Sequence, residues 1–300
     1  MKIKFEIPIH WPKLKKGDKI SLISPSFFIK NSDIIKIKNF LVDWGLEVQI
    51  FPYKTPNNEP FLAHCDQERL NELRQAINCK NSDFISATRG GYGASCIIDE
   101  LLNLEKSPKF KLLTGFSDIT SLHLAFNNCF KFSTLHSPTL KQIANNDVND
   151  KTINLFKKIL FGEISQLEYE IKPLNQISKI KKMPKLLGGN LSLIQTSIGA
   201  KWQINNSGNY AMLIEEVDEE AYKIDRMLNH LKNANIFNNC QAVFIGDLIE
   251  KADSKNQYHL NKVVESFANN INIQVFSIKH IGHGQFNTPI PLGVEFEILD

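Results

Sequence analysis

The chain is expected to be an α/β protein, on three observations. Short apolar strands alternate with helical segments through the first half, several of these strands end in turn residues, and the second half mixes strands and helices in a different rhythm. Lys19 to Ser24 is a strand closed by Pro25, Ile34 to Trp44 has helical spacing of apolar residues, and Leu46 to Phe51 returns to a strand pattern. Asp66 to Ile77 reads as a helix with Leu70, Leu73 and Ile77 on one face. Phe84 to Ala87 and Lys111 to Thr114 are strands, followed by helices at Ala94 to Leu102 and Ile119 to Asn127. This alternation implies a parallel sheet covered by helices. Apolar periodicity weakens between about Phe161 and Pro184, which sets a division into residues 1–163 and 164–300. Beyond it come an apolar segment at Leu191 to Ile198, strands at Tyr210 to Val217, Ala242 to Ile245 and Ile273 to Ile278, and a helix from Glu219 to Lys232, a mixed α+β unit.

Composition narrows the function classes. The chain has 300 residues, enough for a sizeable core, and a formal charge of only +3 from 35 basic and 32 acidic residues. Nucleic-acid binding would need a basic domain or stripe, and the runs Lys13 to Lys19 and Lys179 to Lys185 are short and read as solvated loops. Charges and prolines interrupt the N-terminal segment, so no secretory signal is expected there, and no apolar run is long enough for a membrane span. Five cysteines, odd in number and without CxxC spacing, fit reduced thiols. A cytoplasmic protein that binds neither nucleic acid nor membrane is the expectation.

Three places carry residues suited to chemistry. The first is Thr114-Gly115-Phe116-Ser117-Asp118, between a strand and a helix. A serine at such a turn is exposed beside the free N–H groups of a helix start, which can hold a tetrahedral oxyanion. The competing reading makes Ser117 and Asp118 a helix N-cap. Ile119 occupies the second glycine position of GxSxG, which argues against an ordinary α/β-hydrolase. The second place is Arg89-Gly90-Gly91-Tyr92-Gly93, whose glycines permit close backbone approach to a ligand. Neither GxGxxG nor GxxxxGK[ST] is present, so no nucleotide fingerprint is met, and a tight turn is the bland alternative.

The third place pairs Glu215, at the end of a strand, with His283 in Ile281-Gly282-His283-Gly284. A serine needs a base to become nucleophilic, histidine has the pKa for it, and a carboxylate behind the ring fixes its tautomer. His123 and His136 compete for the role of base, and strand alternation alone does not choose between Glu215 and Glu216. His280 and His283 lack the accompanying pattern of a metal site, so no metal and no cofactor are expected. Cys96, beside Ile97 and Ile98, is expected to be buried in its helix.

In order along the chain, these segments resemble the LD-carboxypeptidase family of serine peptidases, the muramoyltetrapeptide carboxypeptidases. The resemblance rests on LKKGDKISLISPS (Leu14 to Ser26), ATRGGYGA (Ala87 to Ala94), LLTGFSDITSLH (Leu112 to His123), LHSPTL (Leu135 to Leu140), LLGGNLSLI (Leu186 to Ile194), LIEEVDEEAYKIDRML (Leu213 to Leu228) and IGHGQFNTPIPLGV (Ile281 to Val294). It implies a Rossmann-like N-terminal domain with a smaller C-terminal domain, as a homodimer. It also implies Ser117 as nucleophile, Glu215 as the acid orienting the base, His283 as the base, and an oxyanion hole from the backbone of Asp118 and Gly91. The implied reaction releases C-terminal D-alanine from a murein tetrapeptide in cytoplasmic cell-wall recycling. The sequence departs from the family where His136-Ser137-Pro138 replaces the common His-Gly-Pro, and at Gly284. A related branch, the microcin C immunity proteins, hydrolyses aminoacyl-nucleotide conjugates and is the alternative function. A non-catalytic small-ligand-binding protein on a similar scaffold is a more distant one.

Overall fold

The computed structural model describes residues 1–51, 60–103, 108–177, 184–204, 208–249 and 256–299. Residues 179–183 of the second lysine run lie outside them. In chain order the first elements are β1 (Lys2–Glu6), β2 (Lys19–Ile23), α1 (Asn31–Asp43), β3 (Glu47–Ile50), α2 (Asp66–Asn78) and β4 (Phe84–Ala87). Then come α3 (Ile98–Leu101), β5 (Leu112–Gly115), α4 (Thr120–Ala125), β6 (Thr134–His136), α5 (Leu140–Ala144), α6 (Asp150–Leu160) and β7 (Gln166–Pro173). The remainder is β8 (Lys185–Asn190), α7 (Leu191–Thr196), β9 (Tyr210–Val217), α8 (Ala221–Asn233), β10 (Cys240–Ile249), α9 (Asn256–Asn270), β11 (Gln274–Ile278), β12 (Ile290–Leu292) and β13 (Phe296–Leu299).

The first sheet has the order β12-β6-β5-β4-β2-β3, parallel throughout except for β12, which is antiparallel to β6. Every residue of β4 and β5 is buried, as expected of parallel strands covered on both faces. On α2 the expected face of Leu70, Leu73 and Ile77 is buried. Ala94 to Leu102 forms a 3₁₀ turn before the short α3, in place of the single helix its pattern suggested.

The second sheet has the order β13-β1-β7-β11-β10-β9-β8, with β8 to β11 parallel and β7, β1 and β13 antiparallel. Its ends approach each other: Lys185 bridges to Glu295, flanked by hydrogen bonds from Leu186 N to Val294 O (3.0 Å) and from Gly293 N to Leu186 O (2.7 Å). The proposed division at residue 163 falls between α6 and β7, and two strands cross it. β1 pairs in the second sheet and β12 in the first, so each unit carries a strand from the far end of the chain.

A glycine pair fixes how the two sheets meet. A Cβ on Gly189 of β8 would lie 2.6 Å from Thr120 Oγ1 at the start of α4, and one on Gly188 would lie 2.2 Å from the Leu213 carbonyl. The Asn190 N–H donates to the same Thr120 hydroxyl at 3.0 Å. The helix after β5 therefore sits directly on β8, next to β9. Gly189 also has φ of +133°, which L side chains rarely adopt. Gly189→Ala should cost about 2–4 kcal/mol through combined overpacking and backbone strain. A urea melt should show the midpoint falling with an unchanged slope.

Candidate active site

The turn between β5 and α4 is built around conformations that its sequence allows. Gly115 has φ of +147°, and a Cβ there would meet Ile119 and Ala87 at 3.1–3.2 Å. Ser117 has φ of +63°, an unfavourable value for a non-glycine residue and the kind of local strain that accumulates at functional turns. The side chain of Ser117 is half-buried, at the entry to a short 3₁₀ turn that runs into α4. Neither Ser117 nor Asp118 caps that turn, so the N-cap reading is not realised. Asp118 instead accepts hydrogen bonds from Ser26 Oγ (2.6 Å) and Ala94 N (2.8 Å), tying three loops together. Burial pushes its carboxyl above the usual range, against those two donors and nearby Arg69.

The glycine loop lies beside this turn because β4 and β5 are adjacent parallel strands whose carboxyl ends carry the two loops. A Cβ on Gly90 would sit 3.0 Å from Ser117 Cβ and 3.2 Å from its Oγ. Gly91 is exposed, with φ of +123°, and a Cβ there would collide with the Phe27 ring at 2.3 Å. Arg69, which sequence pattern did not single out, holds the loop from behind. Fully buried on α2, its guanidinium donates to the carbonyls of His64 (3.0 Å), Gly93 (2.7 Å) and Pro25, and pairs with Asp66. The fork of five donors suits this multipoint clamp. Arg89 stacks over Phe27, with its guanidinium 5.4 Å from the ring centre, and donates to the Phe28 carbonyl at 3.0 Å.

From the second sheet, Glu215 and Glu216 leave β9 in opposite directions, as alternation requires. Glu215 is fully buried, and its Oε2 accepts from His283 Nδ1 at 2.7 Å. Gly282 has φ of +135°, and a Cβ there would lie 3.0 Å from Glu215 Oε2, so only glycine allows this passage of the His283 loop. Donation from Nδ1 leaves Nε2 as the unprotonated nitrogen of the neutral ring. The imidazole packs against Phe116, with ring centres 4.6 Å apart, beside Ser117. Ser117 Oγ does not hydrogen-bond the ring, a looseness frequent before substrate binds. Burial opposes the imidazolium, but the hydrogen bond and charge of Glu215, with Glu216 and Asp218 behind it, outweigh that and raise the His283 pKa above its ordinary value.

Glu216 has a different task. Its carboxylate receives Asn190 Nδ2 (2.7 Å), Ser192 N (2.8 Å), Ser192 Oγ (2.6 Å) and Val217 N (3.0 Å), binding β9 to the start of α7. Burial raises its pKa against these donors. The competing histidines are both fully buried. His123 bonds the Gly115 carbonyl through Nε2 at 2.9 Å, and burial lowers its pKa to about 4. His136, between Phe116 and His123, is held neutral by burial, with the other two histidines adding to the effect. Cys96 is exposed rather than buried, because the 3₁₀ turn aims it outward toward the Tyr92 hydroxyl at 3.5 Å.

The His283 loop is anchored from α6. Asn149 N and Nδ2 both donate to the Gln285 carbonyl at 3.0 Å, and Thr152 Oγ1 donates to that of Phe286. Among the described residues no helix is long and apolar enough to cross a membrane, and no cluster of three or more His, Cys, Asp and Glu could hold a metal ion.

Two loops at strand ends and a carboxylate–histidine pair from a second sheet come together here, where the His283 ring packs on Phe116. The LD-carboxypeptidase N-terminal domain matches residues 20–137, and the C-terminal domain matches residues 184–298. The chain belongs to the LD-carboxypeptidase family. It is 32% identical over 288 residues to a Rickettsia conorii protein classed as a carboxypeptidase, covering 95% of this chain and 89% of that one. A Bacillus subtilis protein classed as a murein peptide carboxypeptidase is 29% identical, covering 94% and 89%. Among solved structures, the muramoyltetrapeptide carboxypeptidase of Oxalobacter formigenes superposes with a TM-score of 0.74 at 23% identity, covering 92% of each chain. The microcin C7 self-immunity protein superposes with a TM-score of 0.75 at 19% identity, covering 96% and 95%. These two share the fold.

Proposed function

We propose that the protein is a serine-type LD-carboxypeptidase that releases the C-terminal D-alanine of a murein tetrapeptide, with Ser117, Glu215 and His283 as its triad. The observation that carries this reading is the 2.7 Å bond from His283 Nδ1 to buried Glu215, formed where the ring meets the strained Ser117 turn. His283 Nε2 takes the Ser117 proton as Oγ attacks the scissile carbonyl. The N–H groups of Asp118, at the start of its helical turn, and of Gly91, on the exposed glycine loop, receive the oxyanion. The intermediate collapses to a Ser117 ester while His283 returns the proton to the departing amine. A water deprotonated by the same ring then hydrolyses the ester. Relatives named for murein peptides support the substrate, and a cytoplasmic role in cell-wall recycling is part of the same proposal.

The second reading, hydrolysis of an aminoacyl-nucleotide conjugate, is favoured by the likeness to the self-immunity fold. Incubation with a D-alanine-terminated tetrapeptide, the corresponding tripeptide and an aminoacyl-adenylate analogue separates the two. Release of D-alanine from the tetrapeptide alone is the expected result; turnover of the adenylate alone would replace the peptidase reading.

A further inference from the structure

We propose that the side chains of Arg69 and Asp118 act together as positioning residues that preset the oxyanion hole, an inference that rests on the serine-peptidase reading. The two donors of that hole come from different loops, the Asp118 N–H from the turn after β5 and the Gly91 N–H from the loop after β4. Such donors stabilise an oxyanion only if they are fixed before the charge develops. The ladder pairing β4 with β5 ends at Ser86 and Thr114, short of both donors.

Two buried groups of opposite charge hold the loops beyond the ladder. Asp118 Oδ2 accepts from Ser26 Oγ at 2.6 Å and from Ala94 N at 2.8 Å. The Arg69 guanidinium donates to the carbonyl of Pro25 and, at 2.7 Å, to that of Gly93. Pro25–Ser26 and Gly93–Ala94 are consecutive pairs, so each segment gives a carbonyl to the cation and a donor to the anion. Arg69 is 0% exposed and Asp118 1%, and in such burial charge-assisted bonds are strong and a broken partnership is costly. The Arg69 charge also favours the Asp118 carboxylate against its burial.

The held segments bear directly on Gly91. Ser26 is followed by Phe27, whose ring would lie 2.3 Å from a Cβ on Gly91. Gly93 is pressed against the guanidinium, where a Cβ would lie 2.7 Å from Arg69 Nη1. Gly91 is therefore confined by residues on both sides that the two charges fix. Asp118 carries one donor on its backbone and anchors the other through its side chain.

The test uses the full-length protein, a D-alanine-terminated tetrapeptide, and the tripeptide aldehyde that lacks the leaving D-alanine. Ser117 Oγ adds to the aldehyde carbon as His283 takes its proton, and the carbonyl oxygen becomes an oxyanion in the hole. Asp118→Asn removes the charge yet can keep both bonds, because both donors meet one oxygen. It should lower kcat about ten- to a hundredfold with KM within about threefold, and weaken aldehyde inhibition by the same factor as kcat. Arg69→Lys keeps the charge, loses the fork and should give the same pattern. The double variant should lose no more than the worse single variant, because the two side chains act as one unit. If neither single variant folds, Ser26→Ala removes one of the two donors to Asp118 and carries the test, with a smaller loss in kcat that aldehyde inhibition again matches. A lower denaturant midpoint with kcat unchanged, kcat losses that aldehyde inhibition does not follow, or losses that multiply in the double variant would each overturn the positioning role. Such results leave the peptidase reading standing when the wild-type protein releases D-alanine. A wild-type protein that releases none overturns that reading and this role with it.

Discussion

Ser117→Ala should abolish turnover, on the order of 10⁴-fold or more, while the protein remains folded. The loss is that large because the serine supplies the covalent step, and neither the oxyanion donors nor His283 can replace its oxygen. The fold should survive because Ser117 Oγ holds no other element: the ties across the turn run through Asp118, His123 and the Ser137 N–H bond to Gly115 O. Ser117→Gly gives a sharper form of the same test. Glycine takes φ of +63° without the penalty that serine bears, which offsets the entropy it adds to the unfolded chain. That variant should be equally inactive, with a denaturation midpoint no lower than that of the alanine variant. The strain at Ser117 would then be a cost kept for exposing the nucleophile. Retention of more than about a tenth of wild-type kcat by either variant would remove Ser117 from the mechanism.

Much of this arrangement is legible in the sequence, where local pattern and tertiary role coincide. The strands ending at Ala87 and Gly115 are continuous apolar runs followed by turn residues, and in a parallel sheet their loops must emerge side by side. Once β4 and β5 pair as neighbours, that brings Gly90 against Ser117. The strand β7 lies within the stretch that reads as weakened periodicity: Leu167, Tyr169 and Ile171 are buried between exposed neighbours, and the charged residues of that alternation mask it. Arg69 was not legible. On α2 it stands beside the apolar stripe in a polar stretch, as a solvated arginine would, and it is buried only because the loops at Pro25 and Gly93 fold over it. The same holds for β12, three residues long, whose partner β6 is more than 150 residues away in sequence. Cys96 was misread because the 3₁₀ turn rotates it off the face that helical spacing assigns.

Glu215→Gln and Glu216→Gln should fail in different ways, although the two acids are neighbours. Glu215 meets His283 through Oε2, and its Oε1 is buried without a hydrogen-bond partner among the described residues. An amide in its place keeps the shape and removes the charge that stabilises the imidazolium as it forms. The loss should fall on kcat, by roughly 10²–10⁴-fold, with KM little changed. The pH profile provides a second readout. His283 must be neutral to act as base, so kcat/KM should fall as pH drops through its raised pKa, placing the acid limb above the usual histidine value. Without the Glu215 charge, burial prevails, and that limb should move to lower pH even as the plateau collapses. Glu216 gives the opposite pattern. Four donors converge on its two oxygens, two on each, so an amide group in either orientation turns its NH₂ toward a pair of donors. Glu216→Gln should therefore cost about 1–3 kcal/mol of stability, seen as a lower denaturant midpoint, and leave kcat within about tenfold. If Glu216→Gln is inactive but stable while Glu215→Gln turns over normally, the working acid is the other one, and the 2.7 Å bond to His283 is structural.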